Sequence, residues 1–216
     1  MSLKEKKLIR PLPLGISEFT EVIDKHCYYS DKTLLLKSLL DTATKVILFT
    51  RPRRFGKTLN MTMLRTFFEK RLDGKDTSHY FKDLAIWKAG EKYTSEQGKR
   101  PVIFLSFRGI KGTSFADSLA DIKSLVSEEF KRHDYLRTSS SLIPADRKIF
   151  ADVADGIAGE THFRMSMLHL SKMLKLHYGQ PPLILIDEYD TPIQSANDYG
   201  YYEEMVAFPC MAFMLT

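Results

Sequence analysis

The stretch FTRPRRFGKTLN, residues 49–60, decides the fold, because it leads from a short apolar run into a helix through a basic turn. It contains Gly56-Lys57-Thr58, the ending of a phosphate-binding loop. In such a loop backbone amides surround the phosphates, the lysine reaches the β- and γ-phosphates, and the hydroxyl binds Mg²⁺. The position five residues before Gly56, where glycine is usual, holds Arg51. The motif by itself therefore fits either a phosphate cradle with an altered rim or a basic turn.

The segments on either side of the loop favour the phosphate cradle. KVILFT, residues 45–50, is short, apolar and β-branched, which predicts a strand buried on both faces. KTLNMTMLRTFFEKRL, residues 57–72, spaces its apolar residues as a helix with a broad buried stripe. A strand, a Gly-Lys-Thr turn and a helix, in that order, form the context that a phosphate-binding loop requires.

A second segment supplies acids that suit the same chemistry. In LILIDE four apolar residues, 183–186, are followed by Asp187 and Glu188. This pattern predicts carboxylates at the carboxyl end of a buried strand, the edge at which open α/β sheets bind ligands. On this interpretation Asp187 helps to hold Mg²⁺, while Glu188 orients and deprotonates an attacking water. LILIDE alone is also typical of an ordinary core strand before a solvated turn, but finding both segments in one chain favours the site.

The remaining segments predict an α/β fold. PVIFLSF, residues 101–107, is a further candidate for a buried strand, and residues 115–132 have the spacing of an amphipathic helix. Further helices are predicted at about residues 144–155 and 162–177. Because short apolar strands alternate with helices, we expect a layered fold with a mainly parallel sheet.

Length and composition indicate the class of protein. A chain of 216 residues that is 44% hydrophobic predicts a single domain over residues 1–216, with residues 1–44 as a helical lead-in. It has no apolar run of about 18 residues and no secretory h-region at its start, so we expect a cytoplasmic protein with no membrane partner. Cys27 and Cys210 lack the spacing of a zinc site or a disulfide framework.

The positive charge is concentrated around the opening stretch. The formal net charge is +5, and residues 45–72 hold eight basic residues and one acid. Such a patch suits a compact polyanion, such as a nucleoside triphosphate, at least as well as a nucleic acid. Within the loop, Arg53 and Arg54 fit equally well as phosphate contacts and as a solvated basic rim.

Three histidines, His162, His169 and His177, fall on or near the helix predicted at residues 162–177. Spacings of seven and eight residues put them on roughly one face of a continuous helix, two turns or about 11 Å apart. That separation is too great for shared metal ligation, so we expect surface or half-buried side chains here.

Taken together, these segments resemble the bacterial AAA-ATPase-like proteins, a family of P-loop NTPases with RPRRFGKT as its phosphate loop. The resemblance covers nearly the whole chain and is carried by LPLGISEF, YYSDKT, VILFTRPRRFGKTLNMTML, VIFLSF and LILIDEYDTPI. It implies a three-layer P-loop fold, ATP binding and Mg²⁺-dependent hydrolysis. The implied nucleotide contacts, which correspond to Walker A, are Arg53, Arg54, Phe55, Gly56, Lys57 and Thr58. Thr58 and the Walker B residue Asp187 are implied for Mg²⁺, and Lys57 and Glu188 for catalysis.

The chain departs from that family at its C-terminus. The family fold places a further strand, carrying a polar sensor residue, after the acidic strand, whereas this chain ends FPCMAFMLT. We expect a truncated product in which this strand is missing or is formed by residues 211–216. Whether this chain alone hydrolyses ATP stays open. The alternatives are a non-hydrolysing nucleotide-binding or interaction module, with a protein partner or self-association, and, less strongly, a basic domain associated with nucleic acid.

Overall fold

The computed structural model describes residues 10–42, 44–50, 55–71 and 74–207. The chain divides into two compact units, residues 1–99 and residues 100–216. Helices occur in both units and the second contains a parallel sheet, so the architecture is mixed α/β. That residues 1–216 act as a single domain stays a prediction, and the strand expected at residues 211–216 lies outside the described residues.

The first unit is helical and is organised around aromatic side chains. The ring of Phe81 stacks on Phe19, with centroids 5.1 Å apart, and meets Phe67 edge to face at 5.2 Å. All three side chains are fully buried. The helices are α1 (Phe19–Asp24), α2 (Leu34–Asp41), α3 (Lys57–Phe68), α4 (Ala85–Lys88) and α5 (Glu91–Thr94), with a 3₁₀ turn at Ser78–Tyr80.

The prediction of a buried strand at residues 45–50 is wrong. Residues 46–50 have no regular secondary structure, and Val46, Ile47 and Leu48 are 74%, 41% and 62% exposed. A β-branched run forms a strand only where a neighbouring strand accepts its hydrogen bonds and packs on its side chains. The described residues of the first unit contain no strand that could do so.

Both strands of the described residues lie in the second unit. Strand β1 (Val102–Ser106) pairs in parallel with β2 (Leu183–Asp187), in a register that sets Val102 opposite Leu183 and Ser106 opposite Asp187. Both strands were predicted to within a residue or two at each end. The helices of this unit are α6 (Phe115–Arg132), α7 (Pro144–Ala154), α8 (Glu160–Arg164), α9 (Ser166–Tyr178), α10 (Thr191–Tyr199) and α11 (Tyr202–Ala207), with a 3₁₀ turn at Asp134–Thr138.

One face of the sheet forms the core of the second unit. Side chains alternate between the two faces of a strand, so Ile103 and Leu105 share a face with Ile184 and Ile186. These residues belong to one apolar cluster with the inward faces of α6, α7 and α9. Asp187 lies on the opposite face and is only 3% exposed.

The outer edge of β1 is closed by two charged side chains of α6. The Glu129 carboxylate, 4% exposed, accepts a hydrogen bond from the Phe104 backbone N–H at 2.9 Å. Arg132 donates to both oxygens of that carboxylate, at 2.7 and 2.9 Å, and also to the Val102 carbonyl. A buried carboxylate is tolerated because it is paired and hydrogen-bonded in this way.

The single helix predicted at residues 162–177 is in fact two helices. Met165, with φ −94° and ψ 6°, separates α8 from α9 and turns the chain. The rings of His162 and His169 are consequently 5.9 Å apart between centroids. The predicted separation of about 11 Å is therefore wrong for this pair, because it assumed a continuous helix. At the end of α9, the Nδ1 atom of His177 lies 2.8 Å from the Ser139 hydroxyl.

Candidate functional site

The phosphate-loop candidate ends in a left-handed turn at the start of α3. Gly56 has φ 73°, a left-handed conformation that favours glycine, and no atom of the described residues lies within 4 Å of where its Cβ would be. Helix α3 begins at Lys57, and its first turn contains no acidic residue. Lys57 and Thr58 are half-buried, and Phe55 is 60% exposed. The first-turn amides of a helix and the positive end of its dipole favour an anion at this position.

Helix α3 is fixed to the segment that begins α1. The Thr62 hydroxyl accepts a hydrogen bond from the Phe19 backbone N–H at 3.0 Å and lies 3.1 Å from the Ser17 carbonyl oxygen. One turn further along, Arg65 forms an ion pair with Glu18 at 2.5 Å. The first unit therefore holds the helix that presents Lys57 at several points along its length.

The Asp31 carboxylate accepts hydrogen bonds from two backbone amides. One of its oxygens accepts from the Thr33 N–H at 2.8 Å and the other from the Ala85 N–H at 2.7 Å. Burial opposes the charged form, but these hydrogen bonds outweigh it and lower the pKa of Asp31. Asp31 therefore bonds the N-cap residue of α2, Thr33, and the first residue of α4, Ala85.

The two acids occupy the carboxyl end of β2. Asp187 is the last residue of the strand, and its carbonyl accepts from the Phe107 N–H at 2.9 Å. Glu188 follows and is half-buried, and its carbonyl accepts from the Thr191 N–H at 3.0 Å where α10 begins. The strand pairing therefore places a buried carboxylate and a more accessible one in succession at this edge of the sheet.

Glu188 has an unusual backbone conformation. Its φ is +52°, and the only other described non-glycine residue with positive φ is His26, at +50°. The left-handed region costs an ordinary residue about 1–2 kcal/mol. Strain of this kind is often found where a side chain must be held in a particular direction.

The loop after β1 leaves the sheet at the same edge as the acids and is held at Gly112. The Gly112 carbonyl accepts hydrogen bonds from the hydroxyls of Tyr201, at 2.6 Å, and Ser195, at 3.1 Å. The Tyr201 hydroxyl also lies 2.8 Å from the Ser118 hydroxyl. These positioning contacts were not predicted, although two glycines in FRGIKGTS directly after a strand indicate a close backbone approach. Tyr201 is thus a packing residue that holds the loop after β1.

We expect Gly112→Ala to destabilise the protein by about 1–3 kcal/mol, because a Cβ there would lie 2.5 Å from the Ser118 backbone nitrogen. Urea unfolding monitored by circular dichroism measures the loss. Gly159→Ala is the matched control: Gly159 has φ −61° and open space around its Cβ position, so the expected cost is below about 1 kcal/mol. Equal unfolding midpoints for the two variants would contradict the prediction.

Asp190 stands at the N-cap position of α10 without capping it by its side chain. Its carboxylate instead accepts from the Gln194 side-chain amide at 2.7 Å. The side chain of Asp190 is therefore bonded one helical turn further along, at Gln194, and not to the backbone amides that begin α10.

The predicted site residues are distributed over both units. Gly56, Lys57 and Thr58 lie in the first unit, and Asp187 and Glu188 lie in the second. Arg51, Arg53 and Arg54 lie outside the described residues, so their roles stay predictions.

A cavity of about 270 Å³ lies in the first unit, but at the other end of α3 from Lys57. It is lined in part by Arg65, Glu69 and Tyr80. Since α3 has 12 residues, its two ends are about 18 Å apart. This cavity is therefore not the space beside the phosphate-loop candidate.

The next two statements hold for residues 10–42, 44–50, 55–71 and 74–207. In these ranges no helix has both the length and the apolarity needed to cross a bilayer. Nor do they contain a group of three or more His, Cys, Asp or Glu residues suited to holding a metal ion. The cytoplasmic location stays a prediction.

Comparison with known proteins identifies the family. A family model described as "Predicted AAA-ATPase", AAA-ATPase-like, matches residues 13–214. Searches among curated proteins and among solved structures each gave no match. The family match spans both the phosphate-loop candidate and the acidic strand, and it is consistent with nucleotide binding. The chain belongs to the AAA-ATPase-like family.

Proposed function

We propose that this chain binds ATP at the start of α3, as a P-loop NTPase with a three-layer α/β fold. Lys57 pairs with the β- and γ-phosphates, and the amides near Phe55 and Gly56 face the phosphate oxygens. The left-handed turn at Gly56 and the acid-free first turn of α3 support this role. Arg53 and Arg54 raise the positive potential at the rim.

The side chains available for Mg²⁺ are of the appropriate chemical type. The Thr58 hydroxyl and the Asp187 carboxylate are oxygen donors, which Mg²⁺ prefers, and Mg²⁺ at nucleotide sites takes its remaining ligands from phosphates and water. Asp187 is buried at the end of a strand, so its carboxylate is held in place by the sheet. When bound, Mg²⁺ supplies charge neutralisation on the phosphates.

Glu188 is proposed as the residue that orients and deprotonates the attacking water. The observation that carries this role is its left-handed backbone directly after the buried Asp187, at the carboxyl end of a parallel strand. A strained, half-buried carboxylate at the ligand-binding edge of an α/β sheet is suited to accepting a proton from water.

We expect Lys57→Ala to weaken Mg·ATP binding by about 10- to 100-fold, since it removes a charge-assisted contact worth about 1.5–3 kcal/mol. Calorimetric titration with Mg·ATP measures the effect. Lys45→Ala is the matched control: Lys45 is an exposed lysine of the same basic segment, and its loss should change the affinity by less than about twofold. Equal binding by Lys57→Ala, or no binding by the folded wild-type chain, would rule out the proposed site.

The same titration distinguishes the other candidate functions. Binding of Mg·ATP without phosphate release supports a non-hydrolysing module that serves interaction with a protein partner or self-association. Binding of nucleic acid that survives excess ATP and falls steeply with salt supports the basic-domain alternative. In the structure Arg65, one of the eight basic residues counted for that alternative, is already paired with Glu18.

A further inference from the structure

One backbone oxygen of the second unit joins the loop after β1 to two helices. The Gly112 carbonyl accepts hydrogen bonds from the Tyr201 hydroxyl at 2.6 Å and from the Ser195 hydroxyl, on α10, at 3.1 Å. The Ser118 hydroxyl, on α6, lies 2.8 Å from the Tyr201 hydroxyl. The three hydroxyl side chains are buried. We call these four residues the Gly112 clamp.

Burial makes the clamp stiff. A buried hydroxyl that left its partner would be unpaired away from water, so each of the three side chains favours this one arrangement. Gly112 also lies directly against α6, where a Cβ atom on it would be 2.5 Å from the Ser118 backbone nitrogen. The Gly112 carbonyl is therefore held in one position relative to both α6 and α10.

The turn between β2 and α10 is attached at both ends to the loop after β1. At the start of the turn, the Asp187 carbonyl accepts a hydrogen bond from the Phe107 N–H at 2.9 Å. At its end α10 begins, and Ser195 on this helix donates to Gly112, five residues after Phe107. Only residues 188–190 separate β2 from α10. A connection of three residues between two fixed points has few conformations open to it.

Glu188, the first residue of this turn, has the strained backbone that such an attachment would enforce. Its φ is +52°, which glutamate rarely adopts. A strained conformation persists only where the surrounding structure holds it. The Glu188 carbonyl accepts from the Thr191 N–H at 3.0 Å, so the start of α10 is bonded directly to the strained residue. Whatever fixes α10 against the sheet therefore also fixes Glu188.

We infer that Ser195 and Tyr201 are positioning residues for Glu188. By bonding Gly112 they keep α10 where the backbone of Glu188 is left-handed, and so hold its carboxylate at the ligand-binding edge of the sheet. Tyr201 acts on α10 through its own N–H, which donates to the Ala196 carbonyl at 2.9 Å. The effect on turnover rests on the proposed function, whereas the hold on the backbone does not.

The first test measures the hold on the backbone by urea unfolding of the full chain without nucleotide. Glu188→Gly removes the strain, so it should lower the unfolding equilibrium constant of the parent chain. In a Ser195→Ala/Tyr201→Phe chain residue 188 can relax by itself, so the same change should have an effect at least about threefold smaller. The single variants Ser195→Ala and Tyr201→Phe measure the same coupling if the double variant does not fold.

A Ser127→Ala/Tyr202→Phe chain is the matched control. Ser127 is a buried serine of α6 whose hydroxyl donates to the Val153 carbonyl at 2.8 Å, and Tyr202 is a more exposed neighbour of Tyr201. The control removes a comparable buried hydrogen bond outside the clamp. Glu188→Gly should therefore have its full parental effect in this background.

The second test measures phosphate release from Mg·ATP. Loss of the clamp should lower kcat by about 10- to 100-fold, because Glu188 is misplaced. It should change KM by less than about twofold, since the proposed phosphate contacts lie elsewhere, and the control chain should keep the parental kcat. A merely structural role would not separate kcat from KM in this way.

The two tests distinguish failure of this inference from failure of the proposed function. A parent chain that binds Mg·ATP but releases no phosphate would reject the proposed hydrolysis, and the unfolding experiment would then decide the inference by itself. An equal effect of Glu188→Gly in the parent and in the clamp variants would overturn it. Parental kcat in folded clamp variants would overturn it as well.

Discussion

Replacement of Glu188 by glutamine is expected to lower ATP turnover by about 10²- to 10⁴-fold, the usual contribution of a general base. Binding of Mg·ATP should change little, because the amide keeps the shape of the side chain and the proposed phosphate contacts lie elsewhere, on Lys57 and Thr58. Phosphate release measured at saturating ATP, together with calorimetric binding, separates the two effects.

Replacement of Glu188 by glycine is expected to lower ATP turnover as much as replacement by glutamine does. Unlike glutamine, glycine also relieves the strain of the left-handed backbone at this position. The relief is about 1–2 kcal/mol, reduced by about 0.5–1 kcal/mol because glycine loses more chain entropy on folding. His26→Gly is the matched control, since His26 has nearly the same φ but no proposed part in catalysis. Both glycine variants should raise the unfolding midpoint, and only the one at residue 188 should lose turnover.

Two outcomes would contradict this account of Glu188. Turnover that survives in both Glu188 variants would exclude the carboxylate as the base. A wild-type chain that binds Mg·ATP but releases no phosphate would reject hydrolysis by this chain and leave the non-hydrolysing alternative as the function.

Replacement of Glu129 by leucine is expected to destabilise the protein by about 3 kcal/mol. It leaves Arg132 without its carboxylate and the Phe104 N–H without its acceptor, and breaking a buried pair from one side is strongly unfavourable. The neighbouring Glu128→Leu is the matched control. Glu128 is 65% exposed and pairs only with Lys131 among the ion pairs described, so its loss should cost at most about 1 kcal/mol.

The same carboxylate predicts a pH dependence. Burial opposes its charge, but hydrogen bonds from Arg132 and His133 outweigh burial and hold the pKa of Glu129 below its ordinary value of 4.5. The stabilisation is therefore complete above pH 4.5 and is lost as the pH falls through the lower, folded-state pKa. Urea unfolding of wild type and Glu129→Gln between neutral and acid pH should give a difference that shrinks towards acid, and a constant difference would refute the prediction.

Much of the fold could be predicted because its patterns are local. Helix α6 matches residues 115–132 at both ends, since its apolar spacing coincides with an N-cap at Ser114, whose hydroxyl accepts from the Asp117 N–H. The strands β1 and β2 are short apolar runs bounded by polar residues. Because both strands pack inside one unit, this pattern was enough to predict them. The acids after β2 followed from the same pattern.

The errors and omissions involve relations that no local pattern contains. VILFT, residues 46–50, has the composition of a strand, but pairing depends on a partner elsewhere in the chain. Glu129 and Phe104 are 25 residues apart, so the hydrogen bond between them could not be read from spacing. The left-handed backbone of Glu188 leaves no trace in the sequence either, because glutamate rarely adopts it.

Glu129 and Arg132 cover the outer backbone edge of β1, and this determines where a further strand can join the sheet. The backbone groups that a further strand would need at Phe104 and Val102 are already bonded to α6. Addition on that side would have to displace a buried ion pair, whereas β2 presents its other backbone edge away from β1. Any strand added by fusion, by domain exchange or by aggregation is thus directed to β2, the strand that ends in Asp187.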